Sequence, residues 1–211
     1  LLKSPANQRG RDFAIMLKSL AQLGYRIEWR VVNAADYGFP QRRRRVFIVG
    51  ELSPAPLDDP EGYILSDGVL ARALPVTMSN GDTSGSLAMH DLRLDVPLDE
   101  ISRSFGAEHK VSWFRNAGVM EGSKVHTVGV SPSFDGAMKT LSDILQPNHE
   151  VDDVFFIPNS QLKTWKYLKG AKKEPRVHRG SGTQYTYAEG AIAFPDPLDK
   201  PSRTILTGEG G

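Results

Sequence analysis

The sequence predicts an α/β fold: a helix and an antiparallel strand pair that must pack on something else, followed by a separate small α+β unit. Three observations carry this. Apolar residues recur at helical spacing up to Gly24; two strand-like segments follow with only a short, broken connection between them; and a proline-rich stretch then opens some hundred residues of short mixed patterns.

Phe13, Met16, Leu17, Leu20 and Leu23 share one helical face, and Gly24 stands where a left-handed cap is wanted, so a helix is expected over about residues 10–23. Tyr25 to Val31 alternates apolar and polar residues and reads as a half-exposed strand, whereas Val46–Gly50 is a continuous apolar run and reads as a buried one. The connection from Asn33 to Gln41 is broken by Gly38 and Pro40 and is too short for a crossover helix, which makes the pair antiparallel. A helix and two strands cannot close a core, so this block must pack on something else. Three prolines between Ser53 and Pro60 read as a linker. Beyond it come a short helix after Pro97 (Leu98, Ile101, Phe105) and a hairpin of residues 111–119 and 124–130 turning at Glu121-Gly122-Ser123. A further helix is expected from an Asn159 cap through Leu162, Trp165 and Leu168 to Gly170.

With 39% hydrophobic and 24% charged residues, the 211-residue chain can bury a sizeable core. No apolar run approaches the roughly 20 residues of a membrane helix, and the chain opens on Leu1 with no signal-peptide pattern; it reads as a soluble, cytoplasmic stretch of a larger protein. The absence of cysteine excludes disulfides, thiolate zinc sites and a cysteine nucleophile on this chain. The net charge of +1 conceals segregation: residues 1–50 carry ten Lys/Arg against three Asp/Glu, residues 51–110 four against eleven, and residues 160–181 seven against one. Two basic blocks therefore flank an acidic one.

The densest chemical signal is Gln41-Arg42-Arg43-Arg44-Arg45, immediately before a strand. Four consecutive guanidiniums repel one another unless they splay into water or face an anion, and Arg forks match phosphate oxygens. Arginine runs are commonly just solvated surface, but the whole stretch from Asn33 to Gly50 closely resembles the Gln-x-Arg-x-Arg motif region of DNA cytosine-5 methyltransferases. The family also places an amphipathic helix before that motif, as Gly10 to Tyr25 does here. A variable target-recognition domain follows it, and then a Pro-Ser-Arg-Thr-like string, matched by Lys200-Pro201-Ser202-Arg203-Thr204-Ile205-Leu206-Thr207.

The resemblance implies a Rossmann-like, S-adenosylmethionine-dependent catalytic domain, of which residues 1–52 would be the C-terminal part. Residues 53–200 would be the target-recognition domain, and residues 201–211 the start of the return into the catalytic domain. In such enzymes a cysteine attacks C6 of a cytosine flipped out of the duplex, and C5 receives the methyl group. Carried over, Arg45 would contact the flipped cytosine near O2, Arg43 would orient that site and a nearby phosphate, and Gln41 would join the same hydrogen-bond network. Arg42 and Arg44 fall at variable positions and would face solvent or phosphate. The Pro-Cys nucleophile, the Phe-x-Gly-x-Gly cofactor loop and the Glu-Asn-Val segment are absent from these 211 residues. The stretch alone is thus expected neither to bind S-adenosylmethionine nor to methylate DNA, and no metal is expected.

The second basic block interleaves lysines with Trp165 and Tyr167 and runs into a Gly-rich loop. Lys172, Lys173, Arg176, His178, Arg179, Ser181, Thr183, Gln184 and Tyr185 are the expected DNA contacts: lysines and arginines for phosphate, and Arg, Gln, Ser and Thr for base edges. Against this, Lys163, Lys166 and Lys169 can be merely the wet face of a helix whose Leu162, Trp165 and Leu168 are core. The acidic stretch around Asp58, Asp59 and Glu61 lacks nuclease-like spacing and reads as a solvated face. The expected partners are double-stranded DNA and the remainder of the methyltransferase, on the same chain or a second subunit, with no membrane. A non-catalytic specificity subunit of a split methyltransferase is the alternative of a different class; tRNA cytosine methyltransferases are disfavoured by the length of the insert.

Overall fold

The computed structural model describes residues 1–5, 7–80, 86–106 and 112–204. Two compact units make up the chain, Leu1–Met138 and Lys139–Gly211.

In the first unit, α1 (Arg11–Gln22) buries Phe13, Ala14, Leu17 and Ala21 along one face. Its end matches the sequence reading: Gly24, at φ +85°, donates its N–H to the Ala21 carbonyl at 2.9 Å. The strands β1 (Tyr25–Asn33) and β2 (Arg44–Leu52) pair antiparallel over nine residues, from Tyr25↔Leu52 to Asn33↔Arg44.

Downstream lie α2 (Pro60–Gly62), a π-helical turn (Tyr63–Asp67), α3 (Val69–Ala73), β3 (Val76–Met78), β4 (Ala88–Asp91) and α4 (Leu98–Ser104), followed by β5 (Ala117–Glu121), β6 (Lys124–Val128) and β7 (Val130–Pro132). The main sheet runs β2-β1-β5-β6-β4 and is antiparallel throughout; β3 and β7 form a second, two-stranded sheet. The helix after Pro97 and the hairpin turning at Gly122 are both present. Val111, the expected start of that hairpin, lies outside the described residues.

Two expectations about exposure are reversed. Arg26, Glu28 and Arg30 in β1, expected at the wet face, are 7%, 2% and 1% exposed, while Phe47 in β2, expected in a buried strand, is 47% exposed. Strand position explains both. β1 is hydrogen-bonded on both edges, carries α1 on one face and has the 55–74 segment on the other, whereas β2 is an edge strand.

Nor do the residues after Leu52 stand apart from those before it. β5 pairs with β1 from Ile27↔Met120 to Arg30↔Ala117, and Leu92, Val96, Ile101, Phe105 and Phe114 join Phe13, Leu17, Ile27 and Trp29 in one core. The rings of Phe13, Trp29 and Phe114 meet edge to face, with centroids 4.8–6.0 Å apart. Residues beyond the prolines cover the apolar faces of α1 and β1, and the compact division falls after Met138.

The second unit contains α5 (Leu162–Lys169) and an antiparallel pair, β8 (Lys172–Val177) and β9 (Gln184–Glu189). Asn159 opens a 3₁₀ turn, with no side-chain cap, instead of capping α5. Trp165 stacks on Phe194, but the expected wet and dry positions are exchanged further along: Leu168 is 47% exposed, and Lys169 is buried with its ammonium 5.4 Å from the Trp165 ring. Among the described residues no helix is long and apolar enough to cross a membrane.

Candidate functional site

The arginine run sits at the exit of a closely tied turn. Asn33 Nδ2 donates to Asp36 Oδ1 at 2.9 Å, a 3₁₀ turn covers Ala34–Tyr37, and Gly38 at φ +82° reverses the chain. A Cβ at Gly38 would lie 2.6 Å from the Ala137 carbonyl oxygen, so the turn needs glycine for space as well as for φ. The Ala34 N–H donates to the Arg43 carbonyl at 3.1 Å, which closes the loop, and the hydroxyl of the buried Tyr37 donates to the Pro75 carbonyl at 3.2 Å. Burial raises the Tyr37 phenol above its ordinary value, keeping it a neutral donor.

Arg42, Arg43, Arg44 and Arg45 are all exposed and Gln41 is half-exposed. Arg44 lies across from Asn33 and Arg45 across from Val32, so these neighbours belong to opposite faces of the sheet. Arg45 Nη1 donates to the Arg44 carbonyl at 2.8 Å, leaving most of its fork free.

Behind the turn, β1 contributes a buried pair that sequence reasoning missed. Glu28 Oε2 accepts from the Leu70 N–H at 3.0 Å at the start of α3. Arg30 donates to the carbonyls of Leu74 at 2.7 Å, of Leu70 at 3.4 Å and of Ile64. One β-strand thus binds both ends of α3. Burial pushes the Glu28 carboxyl above and the Arg30 guanidinium below their usual ranges, each partly offset by the other's charge. A strictly alternating strand with charges at 26, 28 and 30 looks like a surface strand, and nothing local reveals the segment that covers it.

The predicted DNA contacts of the second unit gather on the β8–β9 hairpin and its tip. At the tip, the His178 N–H donates to the Thr183 carbonyl and the Gly182 N–H to the His178 carbonyl, both at 2.9 Å. Ser181 Oγ lies 3.2 Å from His178 Nδ1 and donates to Thr183 Oγ1 at 2.9 Å. Arg176 is engaged: its guanidinium lies 3.6 Å from the Tyr187 ring centroid and 3.3 Å from Glu174. Lys172 reaches Glu189 at 3.2 Å and the Leu168 carbonyl at 2.7 Å. Lys173, Arg179, Gln184 and Tyr185 are exposed. Arg203 of the distal Ser-Arg-Thr string lies 3.4 Å from Asp196, while Ile205, Leu206 and Thr207 fall outside the described residues.

Neither of two cavities in the first unit suits S-adenosylmethionine. A cavity of about 240 Å³ is lined by Arg30 and Arg44 with the single carboxylate of Asp36, an excess of positive charge that would repel a sulfonium. Another of about 260 Å³ has Phe105 and Trp113 walls, but its one carboxylate, Asp91, is held at a pKa of about 2 by Lys124 and the Arg93 N–H and is already satisfied. Both are smaller than the roughly 300–1,000 Å³ of typical ligand sites. Among the described residues there is also no group of three or more His, Asp or Glu side chains able to hold a metal ion.

An exposed arginine run on a braced turn and a basic hairpin suit an anionic partner, and comparison with known proteins gives the class. A family profile for C-5 cytosine-specific DNA methylases matches residues 2–87. Residues 2–87, which include the arginine run, thus match the family of cytosine-5 DNA methyltransferases. Among curated relatives, it is 38% identical to the Type II methyltransferase M.Sau3AI of Staphylococcus aureus over 218 aligned positions, covering 99% of this chain and 49% of that protein. It is 41% identical over 54 residues to M.NlaIV of Neisseria lactamica (26% of this chain, 13% of that one) and 46% identical over 52 residues to M.NgoBI of Neisseria gonorrhoeae (25% and 16%). The chain thus spans about half the length of M.Sau3AI and less of the others. No solved structure matches it.

Proposed function

We propose that this chain is the DNA-choosing part of a Type II cytosine-5 DNA methyltransferase, acting in restriction-modification in the bacterial cytoplasm at the nucleoid. In this reading it carries the arginine half of a pocket for a flipped cytosine. The observation that carries it is the similarity to M.Sau3AI over 99% of the chain, combined with the exposed Gln41–Arg45 segment on a braced turn. Arg45 hydrogen-bonds cytosine O2 and favours negative charge developing on the ring, Arg43 orients the base and a neighbouring phosphate, and Gln41 completes the network. Arg42 and Arg44 meet phosphate. The exposure of the run and the placement of Arg44 and Arg45 on opposite faces support this division of labour.

S-adenosylmethionine supplies the methyl group when bound, and the parts of the enzyme that hold it and carry the cysteine nucleophile lie outside these 211 residues. β2 offers them a place to dock. Among the described residues it pairs only with β1, which leaves the backbone groups along the other edge of an apolar strand available to extend a Rossmann-like sheet. The β8–β9 hairpin is the recognition element, since a two-stranded ribbon fits the major groove of B-DNA.

Two measurements on the isolated chain test this reading. It should bind duplex DNA at low salt with an affinity that falls steeply as salt rises, and it should transfer no methyl group from labelled S-adenosylmethionine. Absence of duplex binding at low salt, or methyl transfer by the chain alone, would overturn it.

A further inference from the structure

We propose that the β8–β9 hairpin has a structural face and a reading face, with Arg179 at its tip contacting a guanine edge and Gln184 on its reading face an adenine edge. Arg176, which the sequence alone presents as a base contact, is in this assignment a positioning residue that does not touch DNA. The proposal rests on the reading of this unit as the recognition element.

Register defines the two faces. Lys172, Glu174 and Arg176 lie across from Glu189, Tyr187 and Tyr185, and on this side the charges are spent. Arg176 is clamped on Tyr187 and drawn to Glu174, Glu174 also accepts from the Tyr167 hydroxyl at 3.1 Å, and Lys172 is paired with Glu189. To reach a base, Arg176 would have to give up both its ring and its carboxylate. Two carboxylates on the same face also repel phosphate.

The opposite face carries Lys173, Pro175 and Val177 across from Ala188, Thr186 and Gln184, all of them exposed. It has no carboxylate, and apart from Lys173 and Gln184 its side chains are compact enough for close approach to a groove floor. The Gln184 side chain has no hydrogen-bond partner among the described residues, and neither has that of Arg179. His178, Ser181 and Thr183 are occupied with one another and hold the tip in shape, which leaves Arg179 as its available side chain. An arginine fork matches guanine O6 and N7, and a glutamine amide matches adenine N6 and N7. A hairpin with six-residue strands spans about 20 Å at roughly 3.4 Å per residue, more than the depth of the groove. Lys173, on the same face, supplies a phosphate contact.

The test is selection of binding sites by the 211-residue chain from a randomised duplex pool, with affinities then measured on the selected site and its single-base variants. Arg179→Ala should abolish the preference at one G·C pair and Gln184→Ala at one A·T pair, each weakening binding to the selected site by about 5- to 150-fold. Arg176→Ala should lower affinity while leaving the selected sequence unchanged. Tyr187→Leu should match it and Tyr187→Phe, which keeps the ring, should behave as wild type. The assignment is overturned if Arg176→Ala erases the preference at one position, or if Arg179→Ala and Gln184→Ala both leave the selected sequence intact. A wild-type chain that selects no sequence would instead remove the recognition reading, and this assignment with it.

Discussion

Replacing Arg30 by Met tests the claim that a buried charge on β1 holds α3 in place. Arg30 is 1% exposed, and its guanidinium serves the carbonyls of Ile64, Leu70 and Leu74 while lying two residues along the same face from Glu28. Methionine fills much of the volume but supplies no donor, so three carbonyls lose a partner and the Glu28 carboxylate loses its neighbouring cation. Breaking one side of a buried charged pair costs about 3–5 kcal/mol. With a urea m-value of about 2 kcal/mol/M, the unfolding midpoint should fall by about 1.5–2.5 M. The assay is urea unfolding followed by tryptophan fluorescence in a Trp165→Phe background, where Trp29 and Trp113, both in the first unit, are the remaining reporters. Arg30→Lys, which keeps the charge but not the fork, should recover about half of the loss. The double variant Glu28→Gln/Arg30→Met should be less destabilised than the sum of the single variants, by about 0.5–3 kcal/mol. A loss below about 1 kcal/mol for Arg30→Met, or strict additivity in the cycle, would show that this charge does not hold α3.

Burial holds the His126 imidazole below its ordinary pKa of 6.5, so the unfolded chain takes up this proton at a higher pH than the folded one. Stability from this group is complete above pH 6.5 and is lost as the pH falls below it; His126→Asn should flatten the stability profile on the acid side of pH 6.5, and an unchanged slope in urea titrations would count against it. Gly118 faces Trp29 so closely that an added Cβ would lie 2.2 Å from the indole Cζ2, and Gly118→Ala should therefore cost about 1–3 kcal/mol, at the upper end of that range, in the same assay. In the complete methyltransferase, Arg45→Ala should lower turnover by about 10- to 150-fold, the worth of a charge-assisted hydrogen bond, with a much smaller effect on duplex affinity; equal losses in both would argue against its place at the cytosine.

Local pattern was enough wherever a residue's neighbours in sequence are also its neighbours in space. The 3.6-residue spacing from Phe13 to Leu23 with its glycine stop, the tight turn at Gly122 and the short helix after Pro97 were all legible for that reason. So was the antiparallel pairing of β1 with β2, because the ten-residue link between Asn33 and Arg44, broken by glycine and proline, permits little else. The hairpin at 172–189 was not legible. Lys-Lys-Glu-Pro-Arg-Val has no apolar-polar alternation and little apolar content, and the two strands are joined by cross-strand ring and ion pairs that no single window contains.

The likeness to the family is written in the residues alone, through the arginine run, its glycine-proline turn and the order of the flanking landmarks, because a motif is a set of particular side chains at particular spacings. Which charges face water is not written there. Arg30 and Arg45 are both arginines on adjacent strands; one is sealed under α3 and the other is open. That difference arises in three dimensions, because burial depends on what packs over a strand, and the residues that cover β1 lie some thirty to ninety positions further along the chain.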